Sequence, residues 1–379
     1  LESIEAAEEF NRSTGLLFGS GPYRLENPRT WTPDQSLYLV RNDRYWGAAQ
    51  PAFDRIVYKT IQNDAALLTE FRNGDIDFYR ARPLDYRELK DDPAVLSQAN
   101  NHEFYDARGG YAYVAWNQRR DGEPTRFADK RVRQAMTYLT DRQRIVDEVM
   151  LGYAKAANGP FNPLGKQANP DIAIREFNLQ RAQQLLAEAG YKDRDGDGIL
   201  ESADGEPFTF SLVYPSGSDD YKRIVLLLKD LYVQAGIILE PEPTDWPLML
   251  KALDSKSFDA ITLGWSSGFE IDLFQFFHSD QMGTGGDNFM SYSNPDLDAI
   301  IEQARAEIDE SVRLPLWHQA HEILWEDQPY TFLLRRSRLD FVDKRIENIQ
   351  RVAAGLNWPG LWRMPGEWFV PARQQKYQD

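Results

Sequence analysis

Segments with the spacing of strands and segments with the spacing of helices alternate along the middle of this chain, from about residue 115 to residue 330. Residues 208–214 alternate apolar and polar positions, as a half-buried strand does, whereas residues 179–189 carry one apolar stripe at helical spacing. Such alternation with short connections predicts an α/β lobe. Because 379 residues exceed the ~250 to 300 at which a single core stops growing, we expect at least two lobes.

Three helix starts are predicted from their capping residues. Asn178 can cap the helix at 179–189, which Gly190 can end in a left-handed conformation. Thr140 followed by Gln143 predicts a capping box. Asn294 with the following proline predicts the start of a third helix.

The two ends of the chain carry mainly strand signals. Residues 23–25 and 36–41 predict a hairpin, and residues 53–59 predict a further strand. Residues 330–334 predict another strand near the C-terminus. We expect these β-rich ends to flank the α/β lobe, where they could pair with each other.

Composition excludes several classes of function. The formal charge of −16 disfavours nucleic acid and an anionic membrane surface as partners, because both attract basic proteins. The absence of cysteine excludes disulfides, iron–sulfur clusters and thiolate zinc sites. No run approaches the ~18 to 20 apolar residues of a membrane span. Aromatic residues, at 13%, suffice for a packed core and an aromatic-lined binding site.

The chain carries a series of short motifs that includes GSGPY at 19–23, RNDRYW at 41–46, FRNGDID at 71–77, RVRQA at 131–135, Gly264-Trp265 and YSNPDLD at 292–298. Taken in order, they resemble those of the bacterial extracellular solute-binding proteins of family 5, the relatives of dipeptide- and oligopeptide-binding proteins. Each motif alone is weak, and their order along residues 17 to about 345 carries the resemblance.

The resemblance implies a two-lobed fold of the periplasmic-binding-protein-like II type, α/β, with mixed sheets flanked by helices. Residues 1–113 would be part of lobe I, residues 114–330 lobe II, and residues 331–379 a return to lobe I. The N-terminal part of lobe I and its inserted small domain would be absent from these 379 residues.

The implied function is that of the substrate-binding component of an ABC importer. It would capture an extended solute, an oligopeptide or dipeptide, between the lobes and deliver it to the permease subunits. The resemblance further implies a monomer in the periplasm or another extracytoplasmic space, with a lipid anchor as an option, and neither a cofactor nor catalysis. A receptor of the same fold for an oligosaccharide, an opine or a metal chelate is an alternative, because a fold does not fix its ligand.

The expected ligand site follows from the same resemblance. Peptide binders of this family hold the ligand against lobe II backbone, here Leu263, Gly264, Trp265, Ser266 and Ser267. Trp265 could cover apolar ligand surface, and Trp246 and Asn288 are further candidates, although each could equally be a packing residue.

The stretch after Trp265 departs from the family pattern. Peptide binders usually place an aspartate shortly after the Gly-Trp pair, where this chain has Gly268. Glu270 or Asp272 could replace that aspartate and pair with a ligand ammonium, or both could be solvated loop carboxylates.

Two other chemistries are weighed. Asp193, Asp195, Asp197 and Asp204 fit positions of a calcium loop, although an EF-hand would have glutamate at the last position, and the alternative is a polar turn. His318 and His321 match no zinc-hydrolase spacing. A secreted glycoside hydrolase, with acidic and tryptophan side chains in a sugar cleft, is the alternative from another class.

Overall fold

The computed structural model describes residues 19–32, 35–48, 50–61, 63–106, 109–266, 268, 270–283, 285–352, 355–356 and 368–376. The strands are β1 Tyr23–Leu25, β2 Leu37–Arg41, β3 Arg55–Tyr58, β4 Phe78–Arg80, β5 Ala99–Phe104, β6 Tyr111–Trp116, β7 Arg119–Arg120, β8 Glu123–Pro124, β9 Ala154–Ala156, β10 Thr209–Pro215, β11 Ile238–Thr244, β12 Ala260–Trp265, β13 Tyr330–Arg336, β14 Arg338–Asp343, β15 Arg351–Val352 and β16 Gly355–Leu356. The α-helices are α1 Asp64–Asn73, α2 Pro83–Leu89, α3 Pro93–Gln98, α4 Lys130–Tyr138, α5 Arg142–Arg144, α6 Leu179–Glu188, α7 Asp219–Tyr232, α8 Trp246–Ser255, α9 Phe274–Phe277, α10 Pro295–Ala306 and α11 Glu310–Asp327, and α5 continues as a π-helical turn at Ile145–Val149.

The chain divides into two compact units, one formed by residues 1–104 together with 339–379, and the other by residues 105–338. The sequence analysis placed these boundaries at 113/114 and 330/331. The first position lies inside β6 and the second inside β13, and these two strands pair with each other in one sheet. Their hydrogen bonds therefore move the boundaries to 104/105 and 338/339.

The first unit contains two three-stranded sheets. One has the order β1-β2-β3, and its β1–β2 pair confirms the predicted hairpin. The other has the order β4-β14-β5, so a strand from residues 338–343 lies between strands from the first third of the chain. Segments from the two ends of the chain thus pair in one sheet, but the strand predicted at residues 330–334 is not among them, because it lies in the sheet of the second unit.

The second unit is built on a mixed six-stranded sheet with the order β11-β10-β12-β6-β13-β9. β10, β11 and β12 run parallel, and β6 is antiparallel to both β12 and β13. β6 is central, and all six of its residues are buried. A strand covered on both faces reads as a continuous apolar run, which is the pattern YAYVAW.

Two apolar cores cover the two faces of this sheet. Ala112, Val114 and Trp116 pack with α4, α6 and α7, whereas Tyr111 and Tyr113 pack with α8, α10 and α11. This helix–sheet–helix arrangement confirms the predicted α/β class for the lobe. Among the described residues, we find no helix long and apolar enough to cross a membrane.

Two of the three helix starts predicted from capping residues are confirmed. The Asn178 side chain accepts from the Arg181 amide at 2.9 Å, and Gly190 adopts a left-handed φ of 97°. Asn294 caps α10 as expected. The capping box at Thr140 was wrong: Thr140 Oγ1 donates to the Met136 carbonyl, and Asp141 caps the helix instead.

Candidate ligand-binding site

Several loops of the second unit converge at one edge of the six-stranded sheet, which we call the carboxyl edge. The parallel strands β10, β11 and β12 end there, and ligands of open α/β sheets usually bind outside such strand ends. Tyr111 at the start of β6 pairs with Trp265 at the end of β12, so the loop before β6 reaches the same edge. The end of β13 lies there too, because Leu334 pairs with Ala112.

At the carboxyl edge, β12 separates from its parallel neighbour β10. The register between these two strands covers Leu212–Ala260 and Val213–Ile261 and includes no later pair, although both strands are described to their ends. β10 continues beside β11 as far as Pro215 and Thr244. Beyond Ile261, the described β12 residues therefore have no strand partner on the β10 side, and we call this stretch the gap between β10 and β12.

The predicted binding strand is buried at first and becomes exposed towards its end. Leu263 is buried in the core, whereas Gly264 and Ser266 are exposed. A Cβ atom at position 264 would lie 3.2 Å from the Tyr111 carbonyl oxygen and 3.3 Å from Tyr221 Oη, so glycine keeps this surface open. Ser267, also predicted to contact the ligand, lies outside the described residues.

Trp265 is half-buried in an aromatic cluster. Its ring lies 4.6 Å from Phe276 and 6.2 Å from Tyr113, measured between ring centroids. The indole Nε1 donates to Tyr330 Oη at 3.4 Å, and burial raises the pKa of this phenol, which stays protonated. The indole N–H therefore has an internal acceptor, and only part of the ring surface is available to a ligand.

The other two predicted contacts have different environments. Trp246 is the first residue of α8, directly after β11 at the carboxyl edge, and it is 56% exposed. Asn288 is fully buried: its Nδ2 donates to the carbonyls of His278 and Tyr292, and its Oδ1 accepts from the Tyr292 amide. Both side-chain polar atoms are thus engaged within the fold, and ligand contact by Asn288 stays a prediction.

The acidic residues after Gly268 face arginines of the neighbouring helices. Asp272 lies 3.0 Å from Arg305, and it also accepts from the backbone amide at the start of α9. Glu270 is exposed and lies 4.0 Å from Arg313. A ligand ammonium would compete with these arginines for either carboxylate.

The predicted calcium loop forms a cluster with a different last member. Carboxylate oxygens of Asp193, Asp195, Asp197 and Glu201 lie within 4.8 Å of one another. Asp204 is not part of this cluster, because the chain turns at Gly205 and brings Glu201 inward instead. Asp193 also accepts from the amides of Gly196 and Gly198, as a polar turn does, so calcium binding stays a prediction.

Tyr221, which the sequence analysis did not select, lies directly beside the exposed strand end. It belongs to the first turn of α7, and its ring lies 5.4 Å from the Arg336 guanidinium. Arg336 in turn pairs with Asp220 at 2.6 Å. Burial raises the pKa of the Tyr221 phenol, so its hydroxyl is a donor at neutral pH. No sequence motif marks it, because its position depends on how α7 packs.

The profile of the family described as bacterial extracellular solute-binding proteins, family 5 Middle, matches residues 3–286, which is well over half of the chain. The chain belongs to this family. The family is made up of solute-binding proteins, and the resemblance inferred from the sequence is thereby confirmed.

Known family 5 proteins resemble the chain over most of its length. The oligopeptide-binding protein AppA of Bacillus subtilis is 32% identical over 330 residues, which are 86% of this chain and 57% of that protein. The chain thus spans little more than half of this relative. The structure of AppA in complex with a nonapeptide has a TM-score of 0.81 and 28% identity, covering 93% of this chain and 67% of that one.

The same fold also occurs in a protein that was solved with a metal chelate. NikZ of Campylobacter jejuni, solved in complex with Ni(L-His), has a TM-score of 0.76 at 22% identity, covering 90% of this chain and 65% of that one. At this identity the likeness concerns the fold alone. The two-lobed α/β class predicted from the sequence is confirmed by these neighbours.

Proposed function

We propose that the full-length protein is the extracytoplasmic receptor of an ABC importer and that it binds peptides along the end of β12. Family membership and the likeness to AppA support the transport role. Its partners would be the permease subunits, and binding would involve no turnover. We place it as a monomer in the periplasm or on the outer face of a membrane, with or without a lipid anchor.

One observation carries the choice of ligand class. The register between β10 and β12 ends at Val213–Ile261, and β12 becomes exposed at Gly264, so this strand end is where we propose that an added strand pairs. An extended peptide can satisfy such groups with its own N–H and C=O groups, which gives affinity without reading side chains. The exposed Gly264 lets the two backbones approach closely.

The walls of the proposed site are aromatic and polar. Half-buried Trp265 and exposed Trp246 offer apolar surface, and Tyr221 Oη offers a donor next to Gly264. Aromatic walls of this kind accept many side chains, so we expect a broad peptide preference. Because Gly268 replaces the usual aspartate, the ligand ammonium would bind elsewhere, or at Glu270 or Asp272 after an arginine is displaced.

Native mass spectrometry of the gently purified full-length protein tests this proposal. We expect a ladder of masses that differ by amino-acid residues, released on denaturation. A single sugar, opine or metal-chelate mass would replace the peptide assignment and keep the transport role. If the protein loses its ligand during purification, titration with a defined peptide mixture in the same instrument gives the same comparison.

Hydrolysis is tested on the same sample. We expect chromogenic glycosides to remain intact, because the proposed activity is binding alone. Turnover that disappears in Glu270→Gln would instead support the glycoside hydrolase alternative.

A further inference from the structure

Arg335, the sixth residue of β13, is a buried cation surrounded by backbone carbonyls. Its side chain is 6% exposed, and no described carboxylate lies within ion-pair distance of it. Nη1 and Nη2 bind two different loops. They donate to the carbonyl oxygens of Gly109 at 3.1 Å, Gly110 at 3.4 Å, Gly159 at 3.2 Å, Pro160 at 2.6 Å and Phe161 at 2.7 Å.

Burial of the Arg335 guanidinium has a cost in free energy, which its contacts with the carbonyls offset. Burying a guanidinium without a counter-charge is unfavourable, and this desolvation lowers the pKa of Arg335 to about 10. Five carbonyl dipoles replace the lost water, and the group remains a cation at neutral pH. A planar fork with donors on two nitrogens can span both loops, which a lysine ammonium cannot do.

One of the two loops rests directly on the end of β12. A Cβ atom at Gly110 would lie 1.6 Å from the Trp265 carbonyl oxygen and 2.9 Å from the Ser266 Cα. Gly110 is therefore in backbone contact with the strand end where we place the ligand. The ring of Tyr111, the register partner of Trp265, lies 5.3 Å from the Arg335 guanidinium.

The second loop is fixed from its other side. A Cβ atom at Gly159 would lie 2.0 Å from His321 Nε2, so this backbone packs against the α11 histidine ring. Arg335 thus connects a loop held by α11 to a loop that supports Trp265 and Ser266. Movement of the guanidinium would release the Gly109–Gly110 backbone from the strand end.

We propose that Arg335 is a positioning residue for ligand binding: by holding the Gly109 and Gly110 carbonyls, it sets the position of the β12 backbone that a peptide would bind. This inference rests on the proposed function. Arg335 acts through Gly110, since the five carbonyl contacts already occupy both of its terminal nitrogens.

A double-mutant cycle in the full-length protein tests the proposal. Peptide affinity is measured by isothermal titration calorimetry for wild type, Arg335→Lys, Gly110→Ala and the double variant, with a peptide identified by native mass spectrometry. We expect each single variant to bind about ten- to 100-fold more weakly. The double variant should be no weaker than the worse single variant, because both changes disturb the same contact.

Arg142→Lys is the matched control. Arg142 is also a buried arginine that donates to backbone carbonyls, those of Phe332 at 2.7 Å and Arg175 at 2.5 Å, and burial lowers its pKa to about 10. Within the described part of the chain, its hydrogen bonds go to neither of the loops that Arg335 holds. We expect Arg142→Lys to lower the melting temperature and to leave the dissociation constant unchanged.

Two results would overturn the inference while leaving the proposed function intact. The first is an unchanged dissociation constant for folded Arg335→Lys with only a lowered melting temperature. The second is additive affinity losses in the double variant. If Arg335→Lys does not fold, Gly159→Ala takes its place, because it displaces the Arg335 acceptors from the other loop, and unchanged affinity there would also refute the inference. Absence of peptide binding by wild type would instead refute the proposed function.

Discussion

Replacing Gly264 by valine tests the proposed binding strand most directly. The new side chain would lie against Tyr221 Oη and the Tyr111 carbonyl, 3.3 and 3.2 Å from its Cβ atom. It would cover the exposed backbone beside the gap between β10 and β12. A peptide added to β12 would then lose about two backbone hydrogen bonds, each contributing about 0.5–1.5 kcal/mol.

The expected loss of binding free energy is therefore about 1–3 kcal/mol, which corresponds to a roughly 5- to 160-fold higher dissociation constant. Isothermal titration calorimetry of the full-length protein with a bound peptide measures it. Gly217→Ala is the control, because an added Cβ atom there has no neighbour within 4 Å. A valine variant that folds and binds peptide as tightly as wild type would refute strand addition at β12.

Three further perturbations have separable outcomes. Trp246→Ala should weaken peptide binding while changing the free energy of unfolding by less than about 0.5 kcal/mol, because Trp246 is 56% exposed. Calorimetry measures the affinity and urea unfolding measures the stability. Unchanged affinity would remove Trp246 from the site. Asn178→Ala should lower the free energy of unfolding by about 1 kcal/mol, because the 2.9 Å hydrogen bond that caps α6 is lost, and it should leave peptide affinity unchanged. An unchanged urea midpoint would contradict the assigned cap. Burial lowers the pKa of His321 from 6.5 to about 4, and its Nδ1 accepts from the Asn169 amide, so the folded state holds the neutral ring. The unfolded chain then binds one more proton than the folded chain, so the free energy of unfolding falls by an amount on the order of 3 kcal/mol as the pH drops from 6.5 towards 4. In urea unfolding at several pH values, His321→Gln should lose less stability over this range than wild type. Equal losses of stability in the two proteins would contradict this account.

The sequence determined the features that depend on a few neighbouring residues. The cap at Asn178, the left-handed Gly190 and the β1–β2 hairpin all follow from local rules, since their hydrogen bonds join residues close in the chain. The α/β class of the lobe follows from the period of the apolar residues, which reports the face that each element buries. The family likewise follows from short motifs in a fixed order.

The site depended on contacts between distant residues. The sequence predicted Asn288 in a loop that borders the ligand, whereas in the structure Asn288 is buried and its amide donates to the His278 carbonyl. Trp265 has its indole N–H bonded to Tyr330, which lies 65 residues away in the chain. No local pattern could distinguish these packing roles from ligand contact.

The sequence by itself determined those strands and helices whose hydrophobic spacing and capping act within a few residues, such as the strand at 209–215 and the helix at 179–188. Only the tertiary structure decided the strand order, the boundaries at 104/105 and 338/339, and the point where β12 leaves β10. It also decided that Arg335 gathers the carbonyls of residues 109–110 and 159–161. Those contacts join segments more than 170 residues apart, and their geometry comes from packing the whole sheet.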